Sequence, residues 1–390
     1  MKVRLRTAML RAVAWASRPW SRPVSSALRT GAQRILLIRP DHLGDVLFAT
    51  PAIQALRSSL PDAYLACLVG PWAAEIVQNN PHLDEVLACA FPGFTRAPKK
   101  HLLDPYMVLW RYARILRKGH FDAAVTMRFD HWWGAMLAYW AGIPTRVGHG
   151  LPALAPFLTK ALPYMADRHE VEQNVRLISA LTGGVVAEPG PLEFRPAPND
   201  KRSVPRLLED AGSHAEYLCL HPGAGAPVKL WREEAFAEVG DALAKEYELR
   251  VVVTGSAEER RLGLSIAERM KYKPHVIAGK TGLGELAAIM ASSKLVIGVD
   301  SGPLHLAVSQ GVPTIHLYGP VDRRAFGPWG DPRRHVALVS GMECVPCQRL
   351  DYRLDELDDH PCVRSISVAQ VLEAAHSLLG TNSQAGGALV

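Results

Sequence analysis

Leu295-Val-Ile-Gly-Val-Asp-Ser-Gly-Pro-Leu-His-Leu-Ala307 is the stretch that decides the fold. Its first five residues are apolar or glycine, the pattern of a strand buried on both faces, and Asp300 ends the run. A turn through Ser301-Gly302 follows, then a helix whose first residue can be Pro303, where the missing N–H costs nothing. A strand feeding a helix through a tight turn is half of a βαβ unit, from which parallel sheets flanked by helices are built. The free N–H groups of that first helical turn, with the positive end of the dipole, form an anion site that suits a diphosphate and needs no metal. A blander alternative stays open here: Ser301 or Gly302 does no more than cap the helix, and His305 is a packed helix residue.

The alternation extends in both directions. In the second half Tyr217–His221, Leu249–Thr254, Lys294–Val299 and Thr314–Tyr318 read as strands, and Arg232–Lys245, Ala257–Met270, Gly284–Ala291 and Pro303–Gln310 as helices. In the first half Arg34–Arg39 (RILLIR), Tyr64–Val69 and Ala123–Met127 read as strands and Val46–Ser59 as a helix. Residues 186–204 hold four prolines and read as a linker, because proline neither continues a helix nor donates to a sheet. The expectation is an α/β chain of two Rossmann-like domains facing across a cleft, where the carboxyl ends of the strands would bind ligands. The predicted organisation is a basic amphipathic arm over 1–30, a first domain over 31–185, the linker, a second domain over 205–366, and a C-terminal helix from Ser367 to Leu379 that frays into a tail from Gly380.

Composition fits that picture. At 390 residues the chain exceeds one ordinary core, and 48% apolar with 21% charged residues excludes collagen, coiled coil and wholesale disorder. The longest apolar runs are strand-length, so no segment reads as a spanning helix. Six scattered cysteines and no signal peptide suit a reducing compartment, and the chain is expected in the cytosol. The net charge of +6 is concentrated: residues 1–40 carry nine Lys/Arg and no acid, which leaves 35 bases against 38 acids in the body. That asymmetry argues against a nucleic-acid-binding face. With Leu5, Met9, Leu10, Val13, Trp15 and Trp20 between the bases, the head reads either as a helix lying on an anionic inner membrane or as an unstructured tail.

Gly279-Lys280-Thr281 lacks the glycine five residues before the Gly-Lys that a P-loop needs, since position 274 is Pro. His221-Pro-Gly-Ala-Gly-Ala-Pro-Val228 follows a strand as a dinucleotide fingerprint does, yet Val228 stands where the third glycine belongs. The next strand ends in Thr254-Gly255 instead of the acid that would hold a ribose, so NAD chemistry is disfavoured. Between the first strand and first helix, Arg39-Pro-Asp-His-Leu-Gly-Asp45 places Asp45 beside Gly44 at a helix start. There the dipole would keep its carboxylate ionised. That carboxylate is either a general base or a helix cap, and spacing does not separate the two.

Taken together, Asp41-His-Leu-Gly-Asp45 with Ala49-Thr-Pro-Ala-Ile53, His221-Pro-Gly-Ala-Gly225 with Lys229-Leu-Trp231, Thr254-Gly255 with Glu258-Glu259, and Val299-Asp-Ser-Gly-Pro-Leu-His305 with Tyr318-Gly-Pro320 resemble glycosyltransferase family 9. This is the ADP-heptose:lipopolysaccharide heptosyltransferase family. The resemblance covers about residues 34–376, apart from the variable middle of the first domain. It implies a GT-B fold whose first domain takes a lipid-linked sugar acceptor and whose second takes the nucleotide-sugar donor, ADP-heptose. Transfer would be inverting and metal-independent, with the nucleotide-sugar a substrate and no resident cofactor. By the same resemblance Asp45 is the base and Lys229 receives charge on the departing ADP. Donor binding falls to His221, Gly223, Gly225, Thr254, Gly255, Glu258, Asp300, Ser301, Gly302, Pro303 and His305, while Asp41, Gly44 and Asp130 shape the acceptor side. For this turn two readings stay open: by the resemblance Glu258 holds the nucleoside ribose, or the capping box spelled by Ser256 and Glu259 is the whole explanation.

Two rivals remain on the same architecture: a glycosyltransferase using a different nucleotide-sugar, and a nucleotide-sugar epimerase that needs no acceptor. Near the end, Cys344-Val-Pro-Cys347 with His360 and Cys362 has metal-ligand spacing, with reduced structural thiols as the favoured reading.

Overall fold

The computed structural model describes residues 2–16, 33–95, 103–184, 188–209 and 216–385. They fall into two compact units, Met1–Gly190 and Pro191–Val390, each built on one six-stranded parallel sheet. In chain order the first unit contains α1 (Lys2–Ala16), β1 (Arg34–Arg39), α2 (Leu43–Leu47), α3 (Thr50–Ser59), β2 (Tyr64–Val69), α4 (Ala74–Gln78) and β3 (Glu85–Ala88). It continues with α5 (Asp104–Lys118), β4 (Ala123–Thr126), α6 (Trp132–Trp140), β5 (Thr145–His149), β6 (Lys160–Leu162) and α7 (Glu170–Thr182). The second unit contains α8 (Pro198–Leu207), β7 (Tyr217–His221), α9 (Glu233–Tyr247), β8 (Arg250–Val253), α10 (Arg260–Arg269), β9 (His275–Val276) and α11 (Leu283–Ala291). There follow β10 (Val296–Val299), α12 (Gly302–Ser309), β11 (Thr314–Tyr318), α13 (Arg323–Phe326), β12 (His335–Val339) and α14 (Val368–Ala385).

The sheets run β3-β2-β1-β4-β5-β6 and β12-β11-β10-β7-β8-β9. Counted from its own first strand, each has the same doubly wound order. In each, the direction of strand addition reverses once, between β1 and β4 and between β7 and β10. The connections leaving those neighbours diverge, so a crevice opens beyond their carboxyl ends. Register fixes the place: Ile38 pairs with Thr126 in the first sheet, and Gly298 with His221 in the second. The interior of β1 is continuously apolar because helices cover both faces of the sheet; Ile35, Leu36, Leu37 and Ile38 are all fully buried.

The structure revises several expected boundaries. The helix expected over 46–59 is two, because Pro51 lacks the N–H that a continuous helix would give to Leu47 O. Thr50 Oγ1 donates to Leu47 O at 2.7 Å across that break. Part of the expected linker is helical: Pro198 starts α8, where its lost donor is harmless, and Ala197 N donates to Asp200 Oδ2 at 2.7 Å. Residues 186 and 187 lie outside the described ones. The C-terminal helix continues through Gly380 to Ala385 where a frayed tail was expected, and 386–390 lie outside the described residues. Of the basic head, α1 packs on the first unit: Leu10 and Ala14 are buried, and Tyr139 Oη donates to Ala14 O at 2.9 Å. Residues 17–32, with Trp20, are outside the described set. No helix among the described residues is long and apolar enough to cross a membrane.

Candidate active site

In the first unit the chemistry gathers at the β1/β4 crossover. Arg39, the last residue of β1, is 2% exposed, and its guanidinium meets three carboxylates: Asp41 at 2.8 Å, Glu170 at 3.4 Å and Asp45 at 3.6 Å. Glu170 and Asn174 lie one turn apart on α7, so both reach Arg39, and Arg39 Nη1 donates to Asn174 Oδ1 at 3.2 Å. Asn174 Nδ2 donates in turn to Phe48 O at 3.1 Å, where α2 gives way to α3. Arg128, beyond the end of β4, pairs with Asp41 and with Asp130. Tyr164 Oη donates to Glu170 Oε1 at 3.0 Å, and Trp72 Nε1 to Asp41 O at 2.8 Å.

Charge is unevenly shared in this cluster. Burial alone would raise the Asp41 carboxyl, but Arg39 and Arg128 outweigh it and hold it below the ordinary range. Asp45 goes the other way. Burial first, then repulsion from Asp41 and Glu170, push it up to about 7, against the pull of Arg39. Two neighbouring carboxylates with opposed shifts have different jobs: Asp41 is a fixed counter-ion, and Asp45 can exchange a proton near neutrality. The expectation that the helix dipole keeps Asp45 ionised is therefore corrected, since α2 is only five residues long and its field is overridden by burial first and then by the Asp41 and Glu170 charges. Asp45 lies in the first turn of α2, whose N-cap is His42, and its Oδ1 faces Arg39.

The second unit presents a complementary arrangement at β7/β10. After β7 the chain turns through Gly223 and the exposed Gly225 into a 3₁₀ turn, Pro227–Lys229, anchored by buried Trp231, whose Nε1 donates to Ile366 O at 2.9 Å. This delivers Lys229 Nζ to 2.6 Å from Asp300 Oδ2 at the end of β10. Asp300 also faces His305 Nε2 at 3.9 Å, and it helps burial raise the Tyr318 phenol well above its ordinary value. α12 begins at Gly302 with Pro303 in its first turn, as expected. Its N-cap Ser301 makes no side-chain cap bond, and Ser301 Oγ is buried without a hydrogen-bond partner among the described residues. The capping alternative for that hydroxyl thus falls away.

Other expected donor residues are placed differently. His221 and Thr254 are buried and joined to each other at 2.9 Å, and burial lowers the His221 imidazole to about 4, so it is neutral. Glu258 is exposed, while Glu259 forms the capping box with Ser256 and its carboxylate fills the space that Gly223 leaves open. Cys344 and Cys347 are exposed, Cys362 is buried against Gly319, and His360 stacks on Tyr352 at 3.8 Å. Among the described residues no group of three or more His, Cys, Asp or Glu is arranged to hold a metal.

Comparison with known proteins settles the family. The family model for glycosyltransferase family 9 (heptosyltransferase) matches residues 109–357. The chain belongs to glycosyltransferase family 9. It is 26% identical over 296 residues to lipopolysaccharide heptosyltransferase 3 of Escherichia coli, covering 74% of this chain and 84% of that one. A solved family 9 glycosyltransferase from Veillonella parvula superposes with a TM-score of 0.75 at 25% identity, covering 92% of this chain and 100% of the other. The E. coli heptosyltransferase WaaC, solved with ADP, superposes at 0.66 with 19% identity, covering 89% and 100%. The fold is accordingly GT-B, the chain is a glycosyltransferase, and its relatives support lipopolysaccharide heptosyltransferase activity.

Sequence reading missed Arg39, Arg128 and Glu170 as members of these clusters, whereas Tyr318 stood in the Tyr318-Gly-Pro320 motif and Asn174, with His169, matched a family position without a role in binding Arg39. Arg39 carried a usable signal: an arginine ending an otherwise apolar buried strand must find counter-charges. Glu170 carried none, being 131 residues away from Arg39 along the chain.

Proposed function

We propose that this protein moves heptose from ADP-heptose to a hydroxyl of the lipid-linked inner core of lipopolysaccharide, by a metal-independent displacement that inverts the anomeric centre. The observation that carries this reading is Asp45, a carboxylate at the crossover of the first sheet held near half-ionisation at neutral pH by its surroundings. The acceptor oxygen attacks the anomeric carbon as its proton passes to the Asp45 carboxylate. The bond from that carbon to the β-phosphate oxygen breaks, and its electron pair leaves with ADP. The charge that develops there is met by Lys229 and by the amides opening α12, with the Ser301 hydroxyl as a further donor. Because those groups supply the positive potential, the nucleotide-sugar needs no metal partner and is itself a substrate, not a cofactor.

In this reading the first unit takes the acceptor, with Asp41, Gly44 and Asp130 around it, and the second unit takes the donor. Asp300 orients Lys229. The relative solved with ADP supports an ADP-linked donor. A lipid-linked acceptor places the work at the cytoplasmic face of an anionic inner membrane, with the protein in peripheral contact.

Incubation of purified protein with ADP-heptose, with and without Kdo-bearing lipid A, tests the proposal. ADP release that depends on acceptor is the expected result. Product formed without acceptor would indicate an epimerase-type reaction, and no turnover with any heptose donor would overturn the choice of sugar.

A further inference from the structure

Among the described residues, ten large apolar side chains stand exposed, and seven of them lie on α1 or on α5 and its N-cap: Met9, Trp15, Leu103, Tyr106, Met107, Trp110 and Ile115. These helices share one layer. Leu10 and Ala14 of α1 and Leu109, Ala113 and Leu116 of α5 all enter the same apolar cluster on one face of the first sheet. The buried side of α5 is therefore fixed, and its outer side is set by helical spacing. Leu103, Met107, Trp110 and Arg114 follow one another at three or four residues and line up along that outer side.

The line changes character along its length. The first two turns of α5 are apolar, and the last two carry Arg111, Arg114, Arg117 and Lys118, all exposed. Asp104, in the first turn, is the only acid on the helix. The Arg114 guanidinium lies 4.6 Å from the Trp110 ring centroid, joining the two halves. On α1, Arg11 is exposed between Met9 and Trp15.

A surface with one sign of charge and protruding aromatics is ill-suited to a mixed-charge protein partner. It is suited to a bilayer, where apolar side chains enter the acyl boundary and the bases meet phosphates. We propose that the outer side of α5, with Met9, Arg11 and Trp15 of α1, is the face by which this protein docks on an anionic membrane. The contact is carried by a helix built into the first unit and so does not depend on a detachable head. The purpose of the contact, to reach a lipid-linked acceptor, rests on the function proposed above; the contact itself does not.

The test is co-sedimentation of the full chain with vesicles of phosphatidylethanolamine and phosphatidylglycerol, and with vesicles of phosphatidylcholine alone. Binding to the anionic vesicles is expected, weakening as salt is raised. Met107→Ser with Trp110→Ser should reduce it at least 30-fold, and Arg111→Gln with Arg114→Gln about 10-fold or more, without change in thermal stability because these side chains are exposed. Binding that is unchanged in both double variants overturns the proposal, as does equal binding to phosphatidylcholine. A shift from dimer to monomer in the apolar variant would also overturn it, since it would assign the face to a second copy. Turnover on a detergent-dispersed acceptor separates this from the proposed reaction: the variants should retain it, and its absence in the unaltered protein would sink the reaction while leaving the vesicle result standing.

Discussion

Replacing Asp45 with Asn removes the proton acceptor while keeping the shape, and the structure gives this change two opposite effects. The carboxyl is pushed up to about 7 from an ordinary 3.8, by burial first and then by Asp41 and Glu170. In the unaltered enzyme, kcat/KM should follow the ionised fraction of Asp45. It should fall about tenfold per pH unit below 7, so that roughly a tenth of the plateau remains at pH 6. Asp45→Asn should lower the plateau by about 10²- to 10⁴-fold, the usual contribution of a positioned base. Stability moves the other way. With the folded value above the unfolded one, the favourable contribution of protonated Asp45 is complete below about pH 4 and is lost as pH rises through about 7; above that, the ionised group is a cost. Three units correspond to about 4 kcal/mol, but the side chain is 32% exposed, and solvent screening reduces this to ~1–2 kcal/mol. The Asn variant should therefore melt a few degrees higher than the unaltered protein at pH 8 and about equal to it at pH 4. Scanning calorimetry at the two pH values, beside pH–rate profiles, decides the matter. A variant less stable at pH 8, or an enzyme whose rate stays flat down to pH 5, would refute the assignment of Asp45 as a strained base.

Three further outcomes follow from the same contacts. Lys229→Ala should cost on the order of 100-fold or more in turnover, measured as ADP release under saturating donor, because a single fixed donor to developing charge is worth about 3–4 kcal/mol. Ser301→Ala should weaken ADP binding several-fold by calorimetric titration and leave the melting temperature unchanged, since Ser301 Oγ holds nothing within the described residues. Asp41→Asn should destabilise the first unit by about 3–5 kcal/mol in urea unfolding, because it leaves the buried Arg39 guanidinium short of its nearest counter-charge.

Legibility from sequence tracked how distinct a pattern each element's burial leaves in the chain. β1, β2, β7 and β11 could be placed to the residue because strands covered on both faces are continuous apolar runs bounded by polar turns. β3, β6 and β9 escaped notice: each lies toward a sheet edge, is two to four residues long, and is partly exposed, so no run marks it. α6, Trp-Trp-Gly-Ala-Met-Leu-Ala-Tyr-Trp, is buried almost all round and has no amphipathic period by which to recognise a helix. The break between α2 and α3 was readable from Pro51 and was overlooked. Nothing in the sequence pattern of α1 distinguishes Leu10 and Ala14, which the first unit buries, from Met9 and Trp15, which it does not.

The active-site clusters divide along the same physical line. Motif residues next to one another in the chain, such as Asp300 to His305, take their positions from local turn geometry, and local sequence is enough to place them. The proton affinity of Asp45 depends instead on burial first, then on Asp41 and Arg39, and then on Glu170, which α7 brings to the same guanidinium from far along the chain. Around Arg39 there are three carboxylates, and Arg128 brings only one further positive charge, so one acid must be the easiest to protonate; it is the one farthest from Arg39. Removing Glu170 therefore gives a sharper test of that balance than removing the base. Glu170→Gln takes away one repulsion and should shift the acid limb of the rate profile to lower pH while the base stays in place. A limb that does not move would mean that burial alone sets the affinity of Asp45, and that α7 contributes only packing.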